Sequence, residues 1–445
     1  MTLTKATYSM IDGATINVRD FGAVGDGVAD DTAALQAAFD YAEVLRLQNL
    51  SVGVMVVFGN GDKYRVTSTV TARNVSIEGN GAKIFADTDI GILLVEGNAH
   101  IFRDFHCWYT TQRSNAAARA IQLTNGTLQA SKNTWIGVTT RNAYTGFYNK
   151  KTGPANSDAS IFGTVFINCR ADYNYDWGWY FETGGGTTLS LIGCGVSGRV
   201  ATPLPLSKGF YFQDFTEVVL KNCAADQMMD GQALTTVDCS SIQIDTFALE
   251  SCEMITANRR MLSFTTATHI QANMIFAKVT TIDVGIGNNA YLVYLNNCLA
   301  NSFGEIISTN ETLTSGTLYN LRSSGTGKNQ TQFVPLSSVD TAGVYENFFD
   351  FGRFVGLTAA DPAASFTGTY EIGDIALNRS VAQGREVGWV CTTAGTPGTW
   401  MPFGQAGVVN SVIATPRYVG QIAVAAGVGY LATGVASAAD WKQIT

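Results

Sequence analysis

The apolar positions change period twice along the chain. A strand-like stretch, Ile16-Asn17-Val18-Arg19-Asp20-Phe21, runs into a turn at Gly25-Asp26-Gly27. Asp30-Asp31-Thr32 then offers N-caps, and Leu35, Phe39, Ala42 and Leu45 fall on one stripe, which predicts an amphipathic helix ending near Leu47. From residue 52 to about 325 the pattern is different: short runs rich in Val, Ile, Thr and aromatic residues, punctuated by Gly, Asn, Asp and Ser. These read as strands.

Within that stretch the chain repeats. Gly146-Phe147-Tyr148, Gly178-Trp179-Tyr180-Phe181 and Gly209-Phe210-Tyr211-Phe212 recur at spacings of 32 and 31 residues. A second ladder places Cys169, Cys194, Cys223, Cys252 and Cys298 at the ends of successive strands, the first steps being 25, 29 and 29. Such spacings fit one coil of a solenoid plus a variable loop, with coils stacked at about 4.8 Å. The thiols are then expected inside the coil as small hydrophobes. The last hundred residues carry a duplication: Trp389 and Trp400 are echoed by Tyr430 and Trp441, each at an offset of 41. The expected division is 1–51 as an N-terminal arm with a capping strand and helix, 52–325 as solenoid, and 326–445 as a β-rich region for trimerisation or carbohydrate binding.

The 445 residues include 46 Gly, 24 Phe and 17 Tyr with only 14% charged residues, which supports an all-β reading. A net charge of −8 without a long Lys/Arg run excludes a nucleic-acid partner. No apolar segment reaches the roughly 18 residues of a membrane span, so no membrane insertion is expected. Three His and eight scattered Cys without CxxC pairs argue against a metal, and no cofactor is expected. The Gly25-Asp26-Gly27 turn is not followed by Lys-Ser/Thr, which argues against a phosphate loop.

The segment from Asn17 to Gly27, followed by Asp30-Asp31-Thr32-Ala33-Ala34-Leu35-Gln36-Ala37-Ala38, resembles the N-terminal motif of the pectate-lyase-like parallel β-helix superfamily, found in phage tailspikes and some polygalacturonases. The resemblance implies a right-handed parallel β-helix, an N-terminal capping helix, a small C-terminal β domain and a homotrimer. It implies a virion protein that binds, and depolymerises, bacterial capsular polysaccharide or O-antigen. Few residues precede the motif, so attachment to a tail or baseplate protein is expected through a short N-terminal peptide or a second spike.

Candidate chemistry follows from aligning coils. Cys169 and Cys223 are each followed by Asp at the third and seventh positions, giving Asp172 with Asp176 and Asp226 with Asp230. If the Cys194 coil intervenes, the pairs lie two coils apart, about 9.6 Å, near the upper edge for an inverting glycosidase. Glu182 follows the aromatic strand Trp177 to Phe181 and is expected to be the general acid, paired with Asp226 or Asp230; Asp214 follows the equivalent strand. Tyr173, Tyr175, Trp177 and Trp179 are candidate sugar-stacking rings, some of which alternation sends into the core. A lyase would instead need a base and a cation, for which Arg259-Arg260 near His269 is the local candidate. A receptor-binding protein that only adheres is the non-enzymatic alternative.

Overall fold

The computed structural model describes residues 15–48, 54–124, 128–150, 161–198, 207–228, 232–298 apart from 284, 286 and 287, and, in shorter runs, much of 301–444. The solenoid is a parallel β-helix with three sheets as faces. Each coil contributes one stretch to each face in turn. Along the first face, Thr164–Ile167 pairs in parallel with residues 189–192, and those with 218–221 through Val218 to Lys221. On the second, Arg170–Asp172 pairs with Gly195–Ser197, and that with residues 224–226. On the third, Thr145–Asn149 pairs with the start of Trp177–Ile192, and that with the start of Lys208–Lys221.

The corner between the first and second faces is made by one left-handed residue per coil. Asp104, Gly137, Asn168, Gly193 and Asn222 all have φ between 52° and 64°. Asn, Asp and Gly tolerate that region, which is why these types punctuate the sequence. The expected register of the aromatic repeat is observed: Phe147 pairs with Trp179 and Trp179 with Phe210. Their preceding glycines are forced by close approach, since a Cβ on Gly146 would stand 2.6 Å from the Gly178 carbonyl oxygen.

Alternate residues enter a continuous core that includes Trp135, Phe166, Trp179 and Phe210. Trp179 stacks on Phe147 with centroids 4.0 Å apart. All eight Cys are buried and free. Only part of the cysteine ladder shares a register, however. Cys169, Cys194 and Cys223 each precede the second-face strand, whereas Cys223 pairs with Phe247 and not with Cys252. Cys252 lies five residues further on, within Ser241–Met254.

The predicted helix is Thr32–Gln48. It buries Leu35, Ala38, Phe39 and Ala42 against the first coil. Gln36 closes an open sheet edge: its Oε1 accepts the Thr71 backbone N–H at 2.8 Å and its Nε2 donates to the Thr71 carbonyl at 3.2 Å. Unpaired strand edges invite association, and a covering helix removes that hazard. The acidic motif serves this cap. Buried Asp31 accepts the backbone N–H groups of Val24 and Gly25 at 2.6 and 3.1 Å, and Asp26 Oδ1 accepts those of Val28 and Ala29.

The duplicated C-terminal unit consists of two antiparallel meanders. One pairs Ile375–Asn378, Gly388–Thr393 and Thr399–Phe403; the other pairs Ile422–Ala425, Val428–Ala432 and Trp441–Gln443. Trp389 and Trp400 are buried in the first and Trp441 in the second.

Candidate functional site

The second face carries a continuous column of outward-facing polar and aromatic residues. One column of paired positions reads Arg65, Phe85, Trp108, Arg141, Asp172, Ser197, Asp226 and Glu250. Beside it runs a second column of Lys63, Lys83, His106, Thr139 and Arg170. Pairing places Asp172 and Asp226 two coils apart with Ser197 between them, about 9.6 Å at the strand spacing, and Asp226 and Glu250 one coil apart.

Arg170 bridges the lower part of this column. Its Nη2 donates to Ser197 Oγ at 2.7 Å, and its Nε lies 3.4 Å from Asp172 Oδ1. Asp226 is different. Partial burial and the neighbouring Glu250 carboxylate push its carboxyl above the usual range, against the opposing pull of Arg170. A carboxyl pushed upward beside one that is ion-paired is the division of labour that acid–base chemistry uses.

The strands end at this site in residues that rarely adopt left-handed backbone. Tyr173, Gln227 and Ser251 have φ of 55°, 53° and 52° at the corner between the second and third faces. Such conformations cost of order 1–3 kcal/mol each and persist where surrounding structure enforces them.

The expected pairing of Glu182 with Asp226 is not the arrangement found. Glu182 closes the 177–182 segment of the third face, so that face lies between it and the second-face carboxylates. Its aromatic neighbours do not enclose it either. Trp179 and Phe181 point inward, and Tyr180 and Glu182 point outward, because successive strand residues alternate. Tyr180 Oη donates to Glu182 Oε2 at 3.0 Å, as Tyr211 Oη does to Gln213 Oε1 at 2.6 Å on the next coil. Glu182 is thus one unit of a tyrosine–acceptor ladder in which Tyr180 and Tyr211 stack at 4.6 Å.

The other expected residues are dispersed. Asp176 is ion-paired with Lys208 Nζ at 2.7 Å. Asp214 is the left-handed residue, φ 61°, between the third and first faces. Asp230 lies outside the described residues. Trp179 is fully buried and cannot meet a sugar, and Trp177 is buried at a corner against Tyr211 and the Lys208 ammonium. Tyr175 is half-buried and stacks on Tyr144 at 5.5 Å. Tyr173 is half-buried beside the second-face column, where the Arg141 guanidinium lies 4.8 Å from its ring. Arg260 and His269 do not meet: Arg260 sits over Tyr294 on the third face, while His269 begins a first-face strand.

Glu250, Ser197, Arg170 and the Lys83–Trp108–Arg141 group were not expected from the sequence. Comparisons with known proteins agree with this architecture. Residues 15–189 match the model of the family described as rhamnogalacturonase A/epimerase, pectate lyase-like. The fold is pectate-lyase-like. The matched segment of the β-helix contains the cap and the second-face column as far as Asp172. Mannuronan C5-epimerase AlgE1 of Azotobacter vinelandii is 49% identical over 51 residues, which is 12% of this chain and 3% of that protein. The Acinetobacter phage vb_AbaP_AS12 gp42 tailspike has a TM-score of 0.44 at 10% identity, covering 88% of this chain and 82% of that one. The phiAB6 tailspike, solved with three-repeated oligosaccharides of Acinetobacter baumannii surface polysaccharide, has a TM-score of 0.39 at 14% identity, covering 96% and 75%. At such scores neither tailspike carries an argument about activity.

Proposed function

We propose that this pectate-lyase-like chain binds and cuts a bacterial surface polysaccharide, capsule or O-antigen, as a trimeric phage tailspike acting by hydrolysis on its second face. The observation that supports the reading is the column of Asp172, Asp226 and Glu250, three carboxylates on a face along which a linear glycan can lie. Asp226, with its raised carboxyl, donates the proton to the leaving glycosidic oxygen as the bond to the anomeric carbon breaks. Asp172, two coils away, takes a proton from the water that attacks that carbon from the opposite side. A separation of about 9.6 Å at the backbone lies near the upper edge of the inverting geometry of roughly 6.5–9.5 Å. Arg170 holds Asp172 in place, and partial burial with Glu250 raises the carboxyl of Asp226.

The test is incubation of purified protein with polysaccharide from candidate hosts, followed by mass spectrometry. Products heavier by one water per cut support hydrolysis. Unsaturated products lighter by that water would make the enzyme a lyase, and intact polymer bound by the protein would leave only an adhesin. Light scattering checks the trimer, which a monomer mass at micromolar concentration would overturn.

A further inference from the structure

We infer that a cleft at the N-terminal end of the second face is a subsite for a saccharide unit bearing a carboxylate, lying ahead of the proposed catalytic column. The inference rests on the reading of that face as the glycan groove. The cleft, about 410 Å³, has Asp26, Lys63, Lys83 and Trp108 in its walls.

The cations of the cleft, Lys63 and Lys83, and Arg141 beside its Trp108 wall are not consumed by the fold. Among the described residues, neither Lys63, Lys83 nor Arg141 has a carboxylate within 4.0 Å, whereas nearby Arg65 is paired with Asp87 at 2.8 Å. Lys83 Nζ lies 4.4 Å from the centre of the Trp108 ring, and the Arg141 guanidinium lies 5.4 Å from it. The acidic residue at the cleft, Asp26, is occupied by two backbone N–H groups. Donors lie idle there as well: Trp108 Nε1 and Arg141 Nε are shielded and have no acceptor. Leaving such groups unpaired is costly, and a ligand oxygen would satisfy them. A protein of net charge −8 that keeps uncommitted cations at one cleft presents a local attraction for an anion, and the Trp108 ring in its wall suits contact with a sugar.

Position ties the cleft to the carboxylates. Trp108 and Asp172 are two coils apart in the same column, about 9.6 Å, so successive sugar units can occupy both. The subsite thus selects glycans with an acidic sugar a few units from the cut bond.

The experiment uses full-length protein labelled with fluorotryptophan and followed by fluorine NMR, with the Trp108 signal assigned through Trp108→Phe. Glucuronate, galacturonate and mannuronate are titrated against glucose, galactose and mannose. The expected result is that uronates shift the Trp108 signal and neutral hexoses do not. Lys83→Gln should weaken binding by about tenfold, as loss of a charge-assisted hydrogen bond does, while Lys83→Arg retains it. Equal shifts by neutral sugars, no shift by any uronate, or unchanged binding in Lys83→Gln would overturn the subsite. Asp226→Asn should bind uronates like wild type. If that variant still cuts polysaccharide, the catalytic reading fails while the subsite stands.

Discussion

Asp172 and Asp226 occupy the same column of one sheet, separated by the single coil that carries Ser197. Cβ atoms in such a column point the same way, so the two carboxyls lie on one side of the sheet from positions about 9.6 Å apart. Removing either should slow cutting without disturbing the sheet that carries them. Asp226→Asn and Asp172→Asn are each expected to lower turnover by about 10²–10⁴, the range for one acid or base. The first anomer released, observed by proton NMR, should be inverted. Retention would shift the partnership to Asp226 and Glu250, whose one-coil spacing fits the closer pair of a retaining enzyme.

Glu182 should be dispensable for cutting. Its carboxylate accepts the Tyr180 hydroxyl in the place that Gln213 fills for Tyr211 one coil later. Glutamine therefore already serves at an equivalent position. Glu182→Gln should leave the depolymerisation rate within about twofold, since its carboxyl takes no part in the proton transfers assigned to Asp226 and Asp172. A fall of a hundredfold in a halo or reducing-end assay would return the catalytic role to the third face.

The solenoid was legible because its signals are local. Left-handed corners demand Asn, Asp or Gly, close coil contacts demand Gly146 and its equivalents, and alternation separates Trp179 from Tyr180. The Asp172–Asp226 register was legible for the same reason, since Cys169, Cys194 and Cys223 share one position before the second-face strand. Extending the ladder to Cys252 failed: a coil buries a thiol equally well at several positions, and Cys223 pairs with Phe247. That error of five residues hid Glu250, which pairs with Asp226. Lys83, Trp108 and Arg141 were hidden by coil spacing. They come together only by stacking three coils, and no repeat marks them in the chain.

Trp179 should behave as a core residue. It is fully buried between Phe147 and Phe210 at centroid distances of 4.0 and 5.8 Å. Truncating a buried Trp to Ala typically costs about 3–5 kcal/mol. Trp179→Ala should lower the denaturation midpoint sharply, while sugar affinity per folded molecule stays unchanged. Lost affinity in a fully folded variant would contradict its placement.

His100 should make the fold acid-sensitive in a defined window. Burial, with a smaller contribution from Arg46, lowers its pKa to about 4. The unfolded chain, with an ordinary value of about 6.5, binds a proton that the native state refuses between these limits. Stability contributed by neutral His100 is therefore present above pH ~6.5 and declines as pH falls to about 4, by up to about 3 kcal/mol. Denaturant melts of His100→Gln should show a shallower decline across that interval. Parallel curves for the two proteins would refute the assignment.

Asp226 should cost the fold stability for the same reason that it serves as an acid. Its carboxyl is raised by partial burial and by Glu250, so the native state holds a proton that the unfolded chain gives up. Below the ordinary Asp value of about 3.9 both states are protonated and nothing is lost. As pH rises through the raised native value, the unfolded state binds fewer protons than the native one, and stability falls. Above that raised value a charged Asp226 faces Glu250 across one coil with the full penalty in place. Asp226→Asn removes that charge and keeps the side chain's size, so its thermal midpoint should exceed wild type at pH 7 and the gain should vanish toward pH 3. A variant less stable than wild type at pH 7 would show that the Asp226 charge is compensated, and the argument for its role as proton donor would fall with it.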